Sequence, residues 1–485
     1  MADRVVDFGR MTSERFILKQ HAREHRPFET DIDLVSRAEH SNPVTEHVLG
    51  LYRDPAARKA VIADVELLRE FEKAQIPFPS FMEAGPRAAL RFNPQRVRAA
   101  IVTTGGLAPG LHVVIHSIVK RHIRTYSLDR AHGKVLGVYN SFRGLCNLAG
   151  NHVDLEPFKT EEWLDYGGSK LGNVRYHHEG KKGAESIARM VEVISRNLRH
   201  NQIDILYVIG GDGSLGVAHH IALANPNQSI VGIPKTMDND VLWVWQSFGF
   251  NTAVEQATRV INILSREAES TRRICVVELF GAESGFVAAN AALASGHVDL
   301  VLIPEVFNLL SGDQAQVYLE ECVQHIERLV QREPHEPHGV VVVAEGVATA
   351  LQEKSVVLKD VAVKKATFVA QLAALMEERV VDAHGQSVQT FINQPRHHIR
   401  AVSANAHDHI FCERLGALAV DNALAGYTDF MISQWLSEFV LVPLRQVGGR
   451  QKSIPVQGMF WKQVVSSTGQ PLSPAEVPHA GMDVP

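Results

Sequence analysis

Short apolar runs recur through the middle of the chain. They are 99–104 (AAIVTT), 135–139 (VLGVY), 203–209 (IDILYVI), 229–233 (SIVGI), 274–279 (ICVVEL), 299–303 (DLVLI) and 339–344 (GVVVVA). None alternates apolar and polar positions, as a strand with one wet face would. Continuous Val/Ile-rich runs fit strands buried on both faces of a parallel sheet. Helix-length segments such as 183–200 and 252–268 lie between them and complete βαβ units. The pattern predicts a doubly wound α/β architecture, and the number of strands favours two Rossmann-like sheets over one. Residues 1–97 read differently. They are rich in charge, have helical spacing over 57–73 and hold few strand-like runs, which predicts a helical N-terminal extension that ends near Pro94 and covers the core or makes an oligomer contact. Segment 466–485, with four prolines among Ser, Gly and Asp, predicts a flexible tail.

Composition narrows the field. With 485 residues, 45% hydrophobic and 21% charged, the chain has room for two to four ordinary globular domains. Forty-nine basic against 54 acidic side chains give a net charge of −5, so neither a nucleic acid nor an anionic membrane is expected as a partner. Cys146, Cys275, Cys322 and Cys412 are far apart without metal-ligand spacing and read as reduced thiols. The charged N-terminus lacks the apolar core of a secretory signal, and no apolar run approaches the ~18 residues of a membrane span. A soluble, cytoplasmic protein is expected.

Chemistry concentrates where strands end, which is where open α/β sheets bind ligands. The first loop, Thr103-Thr104-Gly105-Gly106-Leu107-Ala108-Pro109-Gly110, precedes an apolar helix whose N–H groups could face an anion, although a structural turn would look the same. Gly210-Gly211-Asp212-Gly213-Ser214 offers a carboxylate in an open loop, suited to magnesium between phosphates or to a helix cap. It lacks the Lys-Ser/Thr ending of a Walker loop. Pro234-Lys235-Thr236-Met237-Asp238-Asn239-Asp240 packs two carboxylates, a Lys and a Thr into one turn. An Asp there could accept a hydroxyl proton while Lys235 neutralises a phosphoryl group; a surface turn would look similar.

Together and in this order, the three loops resemble those of the phosphofructokinase family, in particular its long, plant- and protist-type ATP-dependent branch. The similarity continues through Phe248–Glu255, Arg273–Glu278, Ser284-Gly285-Phe286, Leu302–Glu305 and Ile399–Val402, and covers about 100–445. It implies ATP as donor, Mg2+ as the accompanying ion and a sugar phosphate, fructose 6-phosphate, as acceptor. Asp238 would be the base, Lys235 would offset charge and Thr236 would hold the phosphoryl group. Gly106, Arg175, Tyr176, Gly211, Asp212, Gly213 and Ser214 would surround the nucleotide, with Asp212 on the metal. Met237, Arg273, Phe280, Gly281, Glu345, His397 and Arg400 would join Thr236 and Asp238 around the acceptor, Arg273 across a subunit boundary. The resemblance also implies a donor domain (98–260 with about 400–440), an acceptor domain (261–399 with about 441–465) and a homodimer or homotetramer. Gly213, where pyrophosphate-using relatives typically carry a second Asp, leaves room for a nucleotide.

Two positions depart from the family. Phe280-Gly281-Ala282 stands where Met-Gly-Arg is usual, which removes a cation near the transfer and reshapes the acceptor pocket. Phe391 stands six residues before His397, where Lys or Arg is common; Arg396 is a nearby substitute. Three readings remain at this point: an ordinary phosphofructokinase using ATP or pyrophosphate, a kinase for another sugar phosphate, and a non-catalytic ligand-binding subunit. The pairs His21/His25 and His112/His116 have helical ligand spacing but no third ligand, so they read as surface or packing residues.

Overall fold

The doubly apolar runs form strands because both faces of each are covered. The computed structural model describes residues 11–36, 38–44, 52–174, 180–332, 335–354 and 367–474. Its central strands are Arg98–Thr103, Lys134–Val138, Ile205–Gly210, Ser229–Pro234, Ile274–Leu279, Leu300–Leu302 and Gly339–Ala344. Within Ile205–Gly210 every residue is buried. Ile205, Tyr207 and Ile209 enter one hydrophobic core, whereas Leu206 and Val208 enter the other. That division is the period-two geometry of a strand between two helical layers.

Two main sheets result. A nine-stranded sheet has a parallel centre in the order Phe430–Trp435, Ser229–Pro234, Ile205–Gly210, Arg98–Thr103, Lys134–Val138. The second sheet is wholly parallel: Leu300–Leu302, Gly339–Ala344, Ile274–Leu279, Thr390–Asn393. Two expected domain boundaries fall inside elements. Helix Phe250–Thr271, cut at 260 in the expectation, packs along Phe286–Ser295 and strands of the four-stranded sheet. Strand Glu438–Pro443, cut at 440, is the antiparallel hairpin partner of Phe430–Trp435 in the nine-stranded sheet.

The extension is mixed in structure, contrary to the helical expectation. Its helices are Glu14–Arg23 and Val65–Ala74, the latter begun by Asp64, which accepts from the N–H groups of Glu66 and Leu67. The 57–73 stretch is helical only in its second half, because Arg58–Ala60 pairs with Ser80–Glu83 and extends the large sheet. Met11–Thr12 pairs in parallel with Gln451–Lys452. Phe28 and Phe81 pack on Trp243 with ring centroids 4.9 and 5.7 Å away. The expected tail is also corrected at its start. Helix Met459–Thr468 runs through 466, and Gln470 exchanges hydrogen bonds of 2.8 and 3.1 Å with the Val301 backbone. Residues 475–485 lie outside the described residues.

Candidate active site

Three loops, two of them glycine-rich, leave the C-terminal ends of three adjacent parallel strands and converge on one cavity of about 490 Å3. The nine-stranded sheet contributes Gly105, Gly106, Asp212, Gly213, Ser214 and the stretch Lys235–Asp238 with Asp240. Facing them, the four-stranded sheet contributes Phe280, Ala282 and Glu283 after one strand and Glu345 after another, with Arg400 from the turn His397–Arg400. The predicted residues Gly106, Gly211, Asp212, Gly213, Ser214, Lys235, Thr236, Met237, Asp238, Phe280, Glu345 and Arg400 all line this space.

The nine-stranded side is built from open backbone. Helix Asp212–Ala224 has Gly211 at its cap, which has no side chain to satisfy the first N–H groups. Asp212 is therefore in the first turn of the helix, and Ser214 donates to Thr104 at 3.3 Å. Gly105 has φ +81°, a conformation that favours glycine, and its loop is fixed from behind by Asn173, which donates to the Gly106 carbonyl at 2.8 Å. Buried Lys235 donates to the same carbonyl, linking the first and third loops.

The Lys235–Asp240 loop is tied to the facing wall. The Asp238 N–H donates to Thr236 Oγ1 at 3.1 Å, and its carbonyl accepts from Ser284 Oγ at 2.9 Å. Ser284 can turn back because Gly281 has no Cβ, which would lie 2.2 Å from the Ser284 carbonyl oxygen. Gly281 itself is buried, with its neighbours Phe280 and Ala282 lining the cavity. Burial, then the Asp212 charge, pushes Asp240 up to about 6, and its Oδ1 is buried without a hydrogen-bond partner. Two carboxylates opposed in this way, with oxygen donors only, fit a hard divalent cation that completes its shell with phosphate and water. No cluster of three metal-ligating side chains occurs among the described residues.

Other predicted residues fall elsewhere. Arg175 and Tyr176 lie outside the described residues. His397 is exposed and does not line the cavity. Arg273 precedes Ile274–Leu279 and lines a separate cavity with Asp382 and His384. The length of that strand puts it roughly 20 Å from Phe280. Arg396 pairs with Glu278 at 3.5 Å, and Phe391, opposite Cys275, packs against the core; neither replaces the missing cation. His112 and His116 are held by Tyr166 and Thr160, at 2.8 and 3.0 Å, and burial lowers both below the usual histidine range. Sequence reasoning missed Phe142, Glu283, Thr349 and Gln451 in the lining. Glu283 had a signal, since it adjoins the altered Phe280–Ala282 turn. Gln451 had none, because its place depends on pairing with Met11–Thr12.

Comparison with known proteins agrees with this geometry. Residues 98–423 match the family model "Phosphofructokinase". The chain is 34% identical over 403 residues to the ATP-dependent 6-phosphofructokinase of Borreliella burgdorferi, spanning 81% of this chain and 85% of that one. It is 33% identical over 402 residues to ATP-dependent 6-phosphofructokinase 1 of Arabidopsis thaliana, spanning 81% and 79%. Its fold is similar to that of the pyrophosphate-dependent phosphofructokinase from Nitrosospira multiformis, with TM-score 0.60 at 17% identity over 78% and 92% of the two chains. On the extent of these matches, the chain belongs to the phosphofructokinase family, a family of phosphotransferases.

Proposed function

We propose that the protein transfers the γ-phosphoryl group of MgATP to the free primary hydroxyl of fructose 6-phosphate, giving fructose 1,6-bisphosphate and ADP. The observation that carries this reading is the convergence of Asp212, Lys235, Thr236 and Asp238 on one wall of a cavity whose other wall holds Glu345 and Arg400.

The donor's phosphates would rest on the open N-terminus of helix Asp212–Ala224 and on the glycine backbone at 105–106 and 211–213. Asp212, with Asp240 behind it, would hold Mg2+. When bound, the ion offsets phosphate charge. In an in-line transfer, the acceptor oxygen bonds to the γ-phosphorus as the bond to the bridging oxygen of ADP breaks. Asp238 takes the hydroxyl proton, and its backbone, fixed by Thr236 and Ser284, keeps the carboxylate at the junction of the two walls. Lys235 offers positive charge beside the transferred group, and Thr236 a hydroxyl. Glu345 would accept from sugar hydroxyls, while Arg400 would hold the acceptor's phosphate.

We assign the nine-stranded side to the donor and the four-stranded side to the acceptor. Arg273, at the far end of its strand, would serve a neighbouring subunit, which supports a homo-oligomer. Among the described residues no helix is long and apolar enough to cross a membrane; we propose a cytoplasmic location. A second reading, transfer to another sugar phosphate, is favoured by Ala282 and Glu283, which leave five carboxylates against Lys235 and Arg400 in the lining. The test is a coupled assay with fructose 6-phosphate and either MgATP or pyrophosphate. Turnover with MgATP alone supports the first reading. Turnover only with another sugar phosphate selects the second, and turnover only with pyrophosphate overturns the donor.

A further inference from the structure

Residues 451–454 cross between the two main sheets beside the catalytic cavity. Gln451 lines that cavity, and the Lys452 N–H donates to the Asp240 carbonyl at 2.7 Å. Two residues on, the Ile454 N–H donates to Glu305 Oε1 at 3.1 Å, and the same oxygen accepts from Gly285 N–H at 2.9 Å. Gly285 follows Ser284, the residue that donates to the Asp238 carbonyl at 2.9 Å. Four residues thus form a strap between Asp240 and the turn that holds Asp238. The strap is itself held by the N-terminal extension. Met11–Thr12 pairs with Gln451–Lys452, and the Ser453 N–H donates to the Thr12 carbonyl at 3.1 Å.

Lys452 is the centre of the strap. Its side chain is buried, and an ammonium group taken out of water is destabilising unless other oxygen atoms replace the water. Its Nζ donates to Val244 O at 2.6 Å and to Asn239 Oδ1 at 3.2 Å, with the Phe286 ring centroid 5.4 Å away. The carboxylates that act on its charge are Glu14, from the extension, and Asp240. The turn that Lys452 grips needs support. Asn239 and Trp243 have φ +55° and +62°, left-handed values that are rare for a side chain as bulky as Trp. Asn239 Oδ1 also accepts from Ser247 N–H at 3.0 Å, and Glu14 Oε1 accepts from Trp243 N–H at 3.2 Å. Lys452 and Glu14 therefore hold the same turn, one from the strap and one from the extension.

We propose that Lys452, together with Glu14, is a positioning residue for phosphoryl transfer: the pair locks the 239–245 turn, so that Asp238 and Asp240 keep their places against the facing wall. The inference rests on the phosphoryl-transfer reading of the cavity, and it gives the N-terminal extension a part in the reaction without contact to substrate. Misplacing a reacting group by about 1 Å costs on the order of a hundredfold in rate. A lock of this kind is therefore read in kcat rather than in KM.

The experiment combines amide hydrogen exchange with steady-state kinetics on the full chain, for wild type, Lys452→Met, Glu14→Ala and Arg15→Ala. Met keeps the apolar stem of Lys452 but none of its three donors. Arg15 is the control: it lies on the same helix as Glu14, but its guanidinium reaches Asp64 at 2.8 Å. Lys452→Met is expected to speed exchange at 239–245 by about tenfold or more, with Ile205–Gly210 as protected as in wild type. Its kcat should fall by roughly ten- to a hundredfold while both KM values stay within about threefold. Glu14→Ala should show the same pattern with a loss in kcat of about three- to tenfold, and it decides alone should Lys452→Met fail to fold. Arg15→Ala should move neither readout. Unchanged exchange at 239–245, an unchanged kcat, or an equal loss in Arg15→Ala would overturn the proposal. Exchange needs no turnover, so a wild type inactive with MgATP and fructose 6-phosphate would contradict the phosphoryl-transfer reading while exchange still decides the lock.

Discussion

The Arg400 guanidinium lies over the Phe280 ring, 4.6 Å from its centroid. The aromatic ring that stands where the family usually has Met thus holds a cation that lines the cavity. Such contacts contribute about 0.5–2 kcal/mol. Phe280→Leu should therefore raise the KM for fructose 6-phosphate by roughly two- to thirtyfold with little change in kcat. Steady-state kinetics in the coupled assay checks this, and an unchanged KM would mean that the stacking does not position Arg400.

The lost family arginine gives a complementary prediction. Ala282 is exposed at the cavity with φ +42°, so a longer side chain extends into open space without new backbone strain. Ala282→Arg should increase kcat/KM for fructose 6-phosphate by about tenfold or more, since one preorganised contact to developing charge is worth roughly 2.7–4 kcal/mol. No gain, with activity on another sugar phosphate, would indicate a pocket rebuilt around Glu283.

Gly213 tests the donor. A Cβ there would meet nothing within 4 Å, and an acid in the first turn suits the helix dipole. Gly213→Asp should leave Tm unchanged while lowering kcat/KM for MgATP by roughly a hundredfold or more through repulsion of the nucleotide phosphates. Thermal melting beside the kinetics separates this outcome from unfolding. Unimpaired use of MgATP would show that the nucleotide does not pass this position.

Burial pushes the Glu305 carboxyl up to about 7 from its ordinary 4.5, although its Oε1 accepts from Gly285 N–H at 2.9 Å and Ile454 N–H at 3.1 Å. The folded chain thus keeps a proton that the unfolded chain releases. That contribution to stability is complete below pH 4.5 and is lost as pH rises through about 7. The change is worth roughly 3 kcal/mol. Melting from about pH 5 to pH 8 should lower the Tm of wild type more than that of Glu305→Gln, whose amide stays neutral. Parallel profiles would contradict the assignment.

The central strands were legible because burial on both faces writes an unbroken apolar run, as in Ile205–Ile209 and Val340–Ala344. The hairpin Phe430–Pro443 was not, because Ser433, Gln434, Trp435 and Glu438 interrupt that run near its turn. Arg58–Ala60 was read as helix, since a three-residue edge strand carries no period of its own. Loop order was enough to assemble most of the site, as each loop is local to one strand end. The remainder depended on distant pairing: Gln451 is brought in by Met11–Thr12, and the support of Asp238 by Ser284 crosses between sheets.

In the proposed reaction Asp238 is the group that takes the acceptor's proton. The most direct test is single-turnover transfer from MgATP to fructose 6-phosphate by Asp238→Asn, with ADP binding measured on the same protein. The transfer rate is expected to fall by about 10²–10⁴-fold with nucleotide affinity unchanged. Transfer at near wild-type rate would contradict it and require another base.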